Sequence, residues 1–298
     1  MKIGILGGGF GLYGYVPACI QNKWSVHTLS KYKSEIQARP ELSDFITNLV
    51  FHSNESALIS EVDAIICARN PESQIRFLSS INDFRGHIYL EKPLAPTIEA
   101  HEEALKILDL SSLKFSVGYL LPYTGWYREI ISANDKDQIN GVGINWEFEP
   151  PNALWKSNPA LGGGIADYYA IHLVTLLSDL HVQLDELYFS SSSDYLEIES
   201  KANAEFTIKI RVSKAKANRF QALTVNEKGL SEIRSESISP FGAGLVRGVR
   251  DSRIPFLAQY LSESADKSDS INSLEAERQV IRYRKLVLAE RNLLDQTL

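Results

Sequence analysis

Residues 2–14 read Lys2-Ile3-Gly4-Ile5-Leu6-Gly7-Gly8-Gly9-Phe10-Gly11-Leu12-Tyr13-Gly14, and this stretch decides the fold. Lys2–Leu6 is a short β run that passes directly into glycines, and a helix is predicted to open at Val16-Pro17-Ala18. A strand that turns this sharply into a helix needs residues without a Cβ, both to reverse the chain and to bring backbone against a ligand. The free N–H groups and the positive dipole end of such a helix suit a pyrophosphate. Two registers fit the G-x-G-x-x-G spacing: Gly9, Gly11 and Gly14 literally, or Gly7 and Gly9 with Leu12 in third place and Gly11 beside it. Distance from the strand favours the second. On it, Gly7, Gly9, Phe10, Gly11 and Leu12 are the expected dinucleotide contacts.

Outward from this turn, short β runs alternate with helical stretches. Trp24–Leu29, Val62–Ala68, Gly86–Leu90 and Lys114–Gly118 are β-like, whereas Pro17–Asn22, Ser56–Ser60, Glu72–Ser80 and Thr97–Leu108 carry helical spacing. This alternation predicts βαβ units and a doubly wound parallel sheet. Beyond about residue 120 the runs lengthen and alternate with period two, at Gly141–Glu149, Glu186–Ser190, Tyr195–Glu199, Ala204–Val212 and Phe220–Val225. They predict a large, mostly antiparallel open sheet, interrupted by a helix over 165–180 and closed by another over 274–294. The expected division is a dinucleotide-binding domain over 1–120 and an α+β substrate-binding domain over 121–298. Ser190–Ser193 reads as a solvated turn.

Bulk composition narrows the function. The 298 residues are 44% hydrophobic, 23% charged and 10% aromatic, an ordinary globular balance. Thirty-one Lys and Arg against thirty-seven Asp and Glu leave a net charge of −6, which argues against a nucleic-acid binder but permits a local basic pocket for a phosphorylated small molecule. Cys19 and Cys67 are too few for a disulfide framework or a paired-cysteine metal site, so no metal is expected. No signal-peptide pattern and no bilayer-length apolar segment is read, so a cytoplasmic location away from membranes is expected.

The second β run ends in Thr28-Leu29-Ser30-Lys31-Tyr32-Lys33. An acid near this point normally takes the ribose 2′-hydroxyl of NAD. Here Ser30 and Lys31 stand ready for a 2′-phosphate and no carboxylate repels it, so NADP(H) is expected in preference to NAD(H). Arg69-Asn70-Pro71, after the third β run, lies at the cofactor edge, where Asn70 and Pro71 read either as cofactor contacts or as an ordinary loop. Glu91-Lys92-Pro93 follows the fourth, where open parallel sheets bind ligands, and Lys92 there could stabilise developing negative charge on a substrate oxygen. Further on, Gly162-Gly163-Gly164-Ile165-Ala166-Asp167-Tyr168-Tyr169-Ala170-Ile171-His172 places glycines ahead of a helix bearing a proton-transfer set. On an α-helix Tyr168 and His172 share a face, while Asp167 falls about 140° from His172. Histidine's reference pKa lies near neutrality, which makes His172 the natural acid/base.

The glycine turn, Glu91-Lys92-Pro93 and the glycine run followed by Asp167 and His172, in that order over essentially the whole chain, resemble the glucose-fructose oxidoreductase/inositol dehydrogenase (Gfo/Idh/MocA) family. The resemblance implies a Rossmann domain, and a second domain whose sheet often joins copies into dimers or tetramers. It further implies NAD(P)-dependent hydride transfer on sugars, inositols or nucleotide-linked sugars. By it Lys92 would be the cleft lysine, Glu91 and Lys92 would border the cofactor, and the Lys92–Pro93 bond could be cis. The family usually writes Asp-x-Gly-x-His with a further Asp three residues on; here Tyr168, Ala170 and Thr175 occupy those places, and Asp167 comes one residue early. Either Asp167 is recovered by a local shift, or Tyr168 substitutes for it, or the chemistry is lost. The leading expectation is therefore an oxidoreductase for a sugar-like hydroxyl or ketone. The alternatives are a non-catalytic dinucleotide sensor and, from Leu120, Leu121 and Tyr123, a reductase of an apolar conjugated or imine substrate. Tyr123, Trp126, Tyr127 and Trp155 read as ring-stacking or core residues. Arg278, Arg282, Arg284 and Lys285, interspersed with Glu275 and Glu277, read as a solvated helix face.

Overall fold

The strand β1 (Lys2–Leu6) buries Ile3, Ile5 and Leu6 completely, so both of its faces are covered. In the computed structural model, which describes residues 1–81, 83–111, 113–151, 154–202, 204–242, 248–266 and 270–296, five further strands extend its sheet. They are β2 (Ser25–Leu29), β3 (Leu49–His52), β4 (Ala64–Cys67), β5 (His87–Leu90) and β6 (Lys114–Val117). All pair in parallel in the order β3-β2-β1-β4-β5-β6. The sequence reading missed β3: only Leu49 of its four residues is buried, as befits an edge strand. The order reverses beside β1, and the crevice at that switch point is where such sheets hold a dinucleotide.

The second sheet comprises β7 (Gly141–Phe148), β8 (Leu187–Ser191), β9 (Tyr195–Ser200), β10 (Thr207–Lys214), β11 (Arg219–Val225) and β12 (Ser231–Ser237), in the order β12-β11-β7-β10-β9-β8. Its pairs are antiparallel except β7 with β10 at the centre, which run parallel in full register from Thr207↔Gly141 to Lys214↔Phe148. Alternation is clean: Val142, Ile144, Trp146 and Phe148 are buried, and Ile208, Ile210 and Val212 opposite them likewise. The tract 190–193 is not wholly a solvated turn, because Ser190 and Ser191 finish β8 and Ser191 is buried.

Two compact units result. One holds residues 1–95, 99–120 and 244–275, the other 96–98, 121–243 and 276–298. A single cut after residue 120 therefore does not describe the packing. The helix Ile254–Asp266 belongs to the first unit, where Asn22 donates to the Ala258 carbonyl at 2.8 Å, Tyr89 to the Leu261 carbonyl at 3.2 Å, and Tyr260 to the Ser116 hydroxyl at 2.9 Å. Among the described residues one stretch, Pro159–Asp179, is long and apolar enough to cross a bilayer by length and composition, contrary to the sequence reading. Of its apolar window 61% is buried inside the protein, and the stretch is broken into 3₁₀, π and α segments, Pro159–Leu161, Ile165–Tyr169, Ala170–His172 and Leu173–Asp179.

Candidate functional site

In the first unit the glycine turn settles its own register. Gly7 has φ +148°, and a Cβ there would overlap the Ala68 carbonyl beyond β4, so this glycine serves the close passage of two backbones. Gly9 has φ +53°, and a Cβ on it would meet nothing within 4 Å: the left-handed turn faces open space. Gly11 packs against Ala68, at 3.1 Å from where its Cβ would be, and so fills the helix-to-strand role that the fingerprint assigns to its third glycine. Leu12, in the nominal third place, is fully buried core. Gly14 accommodates the Phe10 ring, which a Cβ would overlap, and so owes its place to packing. The chain opens as a π-helical turn over Gly11–Tyr15 before Val16–Gln21 continues as α-helix. Among the described residues neither the Gly9 nor the Phe10 N–H donates to a backbone carbonyl, whereas Gly11, Leu12 and Tyr13 donate to Gly8 and Gly9.

Glu91, Lys92 and Pro93 form the other end of this site. Gln74 grips the loop, accepting from the Glu91 N–H at 2.8 Å and donating to the Glu91 and Leu94 carbonyls at 2.7 and 3.1 Å. Gln74 is fully buried, so these bonds fix the loop's backbone. The Lys92–Pro93 peptide bond is cis. The Tyr15 hydroxyl donates to the Glu91 carboxylate, tying this loop to the helix that follows the glycine turn. Burial lifts the Glu91 carboxyl above its ordinary range, against the opposing pull of Tyr15, Lys92 and Arg253.

Ser30 and Lys31 are exposed at the end of β2, with the Ser30 hydroxyl donating to the His52 carbonyl at 3.0 Å and the Lys31 ammonium 5.2 Å from the Tyr32 ring. Asn70 caps the helix Pro71–Leu78, its side-chain oxygen accepting from Ser73 at 2.9 Å, and Pro71 is the buried first residue of that helix. Two residues escaped the sequence reading. A Cβ at Gly8 would lie 3.5 Å from a Glu35 carboxylate oxygen, so an acid does reach the turn, with Arg39 at 3.8 Å from it. Arg253, held by Asp251 at 2.9 and 2.6 Å, lies over the Phe10 ring at 4.1 Å. Neither carries a local motif, and Arg253 comes from the distant segment that rejoins this unit.

In the second unit the segment over 165–172 is a π turn, Ile165–Tyr169, followed by a 3₁₀ turn, Ala170–His172, so a 3.6-residue period does not apply across it. Tyr168 meets Trp155 edge-on at 5.5 Å and has the Lys156 ammonium 5.2 Å from its ring. His172 is 5% exposed and packs near Trp146 at 6.4 Å and Phe241 at 5.8 Å. Tyr168 and His172 thus stand in different aromatic surroundings, bridged by Tyr169, which touches Tyr168 at 5.0 Å and Trp146 at 5.5 Å. Asp167 is ion-paired to Arg284 at 2.9 Å, and Arg284 also donates to the Pro96 and Thr97 carbonyls at 2.8 and 3.2 Å. The solvated-face reading of the last helix fails here, since Arg284 and Glu277 are buried. Trp126 and Tyr127 are core, donating to the Pro240 carbonyl at 2.9 Å and to Asp179 at 2.6 Å. Leu120 and Leu121 are likewise buried. Among the described residues no group of three or more His, Cys, Asp or Glu could hold a metal ion.

A six-stranded parallel sheet with this strand order and glycine turn defines a dinucleotide-binding fold. No protein-family model matches the sequence, and no curated protein matches it. Solved structures share the whole architecture. A probable dehydrogenase from Thermotoga maritima superposes with a TM-score of 0.72 at 13% identity, over 100% of this chain and 98% of that one. A Gfo/Idh/MocA family oxidoreductase from Vibrio cholerae gives 0.72 at 10% identity, over 100% and 99%. The WlbA dehydrogenase from Bordetella pertussis, solved with NADH and UDP-GlcNAcA, gives 0.69 at 16% identity, over 97% and 94%. The chain has the fold of these oxidoreductases.

Proposed function

We propose that this protein is a nicotinamide-dinucleotide-dependent oxidoreductase acting on a hydroxyl or carbonyl of a sugar-like small molecule. The observation that carries the reading is Gly9, which holds a left-handed turn with open space where a side chain would be, at the switch point of a 3-2-1-4-5-6 sheet. A pyrophosphate fits against that backbone, with Gly7, Phe10, Gly11 and Leu12 shaping the turn and Asn70 and Pro71 bordering it. The bound dinucleotide supplies the hydride chemistry. Lys92 is assigned the task of stabilising negative charge on the substrate oxygen, and the Gln74 and Tyr15–Glu91 contacts keep its loop in place for that task. His172 is assigned the proton transfer, with the Tyr168 hydroxyl a second candidate on the same segment. Asp167, expected to share that work, is better read as a structural partner of Arg284.

NADP(H) remains the preferred cofactor in this reading. Ser30 and Lys31 are exposed at the end of β2, where the adenosine ribose lies in such folds, and Glu35, the opposing charge, is offset by Arg39. The WlbA structures holding NADH and UDP-GlcNAcA support the nicotinamide and a nucleotide-linked sugar as one substrate form. Association of copies through the second sheet and a cytoplasmic location belong to the same reading; the free thiols of Cys19 and Cys67 agree with a reducing compartment. Fluorescence titration tests the core of it: NADPH is expected to bind at micromolar concentration and more tightly than NADH. Lys31→Ala should weaken NADPH about tenfold and leave NADH within about twofold. Absence of binding by either nucleotide overturns the reading, and tighter NADH binding overturns the preference.

A further inference from the structure

The second unit contains a cleft of about 370 Å³ that none of the assignments above uses. Lys156, Lys214 and Arg291 line it from three separate elements: the short helix Leu154–Ser157, the end of β10, and the helix Ser270–Gln296. Ser192 and Ser193, from the turn between β8 and β9, add hydroxyls. Among the described lining residues none is acidic. Asp194 sits just outside, 3.1 Å from the Lys214 ammonium, and is 72% exposed, so it moderates that one cation without closing the cleft to an anion. In a chain whose net charge is −6, three cations around one concavity form a local reversal of sign.

One wall is aromatic. Phe148 and Tyr169 stack at 3.6 Å with their planes 17° apart, and Phe148 is only 3% exposed, so Tyr169 is the ring of the pair open to a ligand. From Tyr169 the aromatic contacts continue to Trp146 at 5.5 Å and then to His172 at 6.4 Å, within the same unit. A phosphate requires fixed cations and donors, and a planar ring requires a π face; this cleft offers both, at a size typical of small-molecule sites.

We propose that the cleft seats the phosphate-bearing end of the substrate, an organic phosphate carrying a planar ring, as in a nucleotide. The phosphates lie against Lys214, Arg291 and Lys156, the ring lies against Tyr169, and the reacting end extends along the Trp146 side toward His172. Assigning this ligand to the substrate rests on the oxidoreductase reading; the binding site itself does not.

Calorimetry on full-length protein saturated with NADPH tests it, using UDP as the probe, with uridine and inorganic phosphate as separate arms. UDP is expected to bind one per chain, with uridine and phosphate each at least tenfold weaker. Lys214→Glu and Arg291→Ala should each weaken UDP at least tenfold while NADPH affinity stays within twofold. Arg291 also donates to Ser191 at 3.1 Å, so the more exposed Lys214 decides the outcome if the Arg291 variant folds poorly. Failure of UDP to bind, or binding that Lys214→Glu leaves unchanged, overturns the proposal. If NADPH itself fails to bind yet UDP binds in a Lys214-dependent way, the cleft stands and the oxidoreductase reading falls.

Discussion

Gly7 and Gly9 are two residues apart in the same turn, yet the structure asks different things of them. At Gly7 the obstacle is backbone, the Ala68 carbonyl, which has no flexible end to move aside. Gly7→Ala is therefore expected to destabilise the first unit by about 3 kcal/mol, read as a lowered midpoint in urea. At Gly9 only the φ of +53° resists a side chain, at about 1 kcal/mol, but the added methyl enters the space assigned to the pyrophosphate. Gly9→Ala should fold and lose NADPH affinity by at least tenfold; retention of affinity would remove the turn from the site. His87 provides a second residue-scale test. Burial, with Lys114 adding to it, pushes its pKa down from the ordinary 6.5 to about 4. The folded protein thus keeps His87 neutral where the unfolded chain takes up a proton. Its contribution is complete above pH 6.5 and drains away as pH falls toward 4, by about 3 kcal/mol in all. His27, lowered by burial and by His52, acts in the same direction. His87→Gln should flatten the acid side of a stability-against-pH curve, and an unaltered slope would refute the assignment.

At the scale of elements, the Asp167–Arg284 pair fastens the last helix to the π turn that leads into His172. Both side chains are nearly enclosed, at 16% and 4% exposure, so removing one leaves a charge stranded. Arg284→Met is expected to cost about 3 kcal/mol of stability in the second unit, and the double change with Asp167→Asn should recover part of that loss. Additive losses would show the pair to be unimportant. This pair also marks the limit of what could be read locally. The glycine turn, the Glu91-Lys92-Pro93 loop and the parallel character of the first sheet were legible because each follows from spacing, steric need and alternation within short stretches. The burial of Arg284 was not, because an arginine among glutamates reads as solvated unless its distant partner is known. Edge strands β3 and β12 escaped for a related reason: the latter, Ser-Glu-Ile-Arg-Ser-Glu-Ser, has no apolar alternation to betray it. The π and 3₁₀ turns over 165–172 defeated a periodicity argument that assumed 3.6 residues per turn.

At the scale of the molecule, no local pattern announced that residues 244–275 rejoin the first unit. Leu257, Ala258, Tyr260 and Leu261 are each 3% exposed or less, and their helix caps a surface that residues 1–120 alone would leave to water. A fragment of residues 1–120 is expected to be molten or aggregated, with weak near-ultraviolet dichroism, and supplying 248–266 through a linker should restore a cooperative transition. A fragment that folds without the helix would show this packing to be dispensable.

The same detour has a temporal side. At 5–20 residues per second, a ribosome that has released residue 120 needs on the order of ten seconds more to deliver residues 254–266. Throughout that interval the nascent parallel sheet has an exposed apolar flank, the surface that Leu257 and Leu261 come to cover. Chaperone occupancy during synthesis should accordingly peak late, and should fall only once the closing helix has emerged from the exit tunnel.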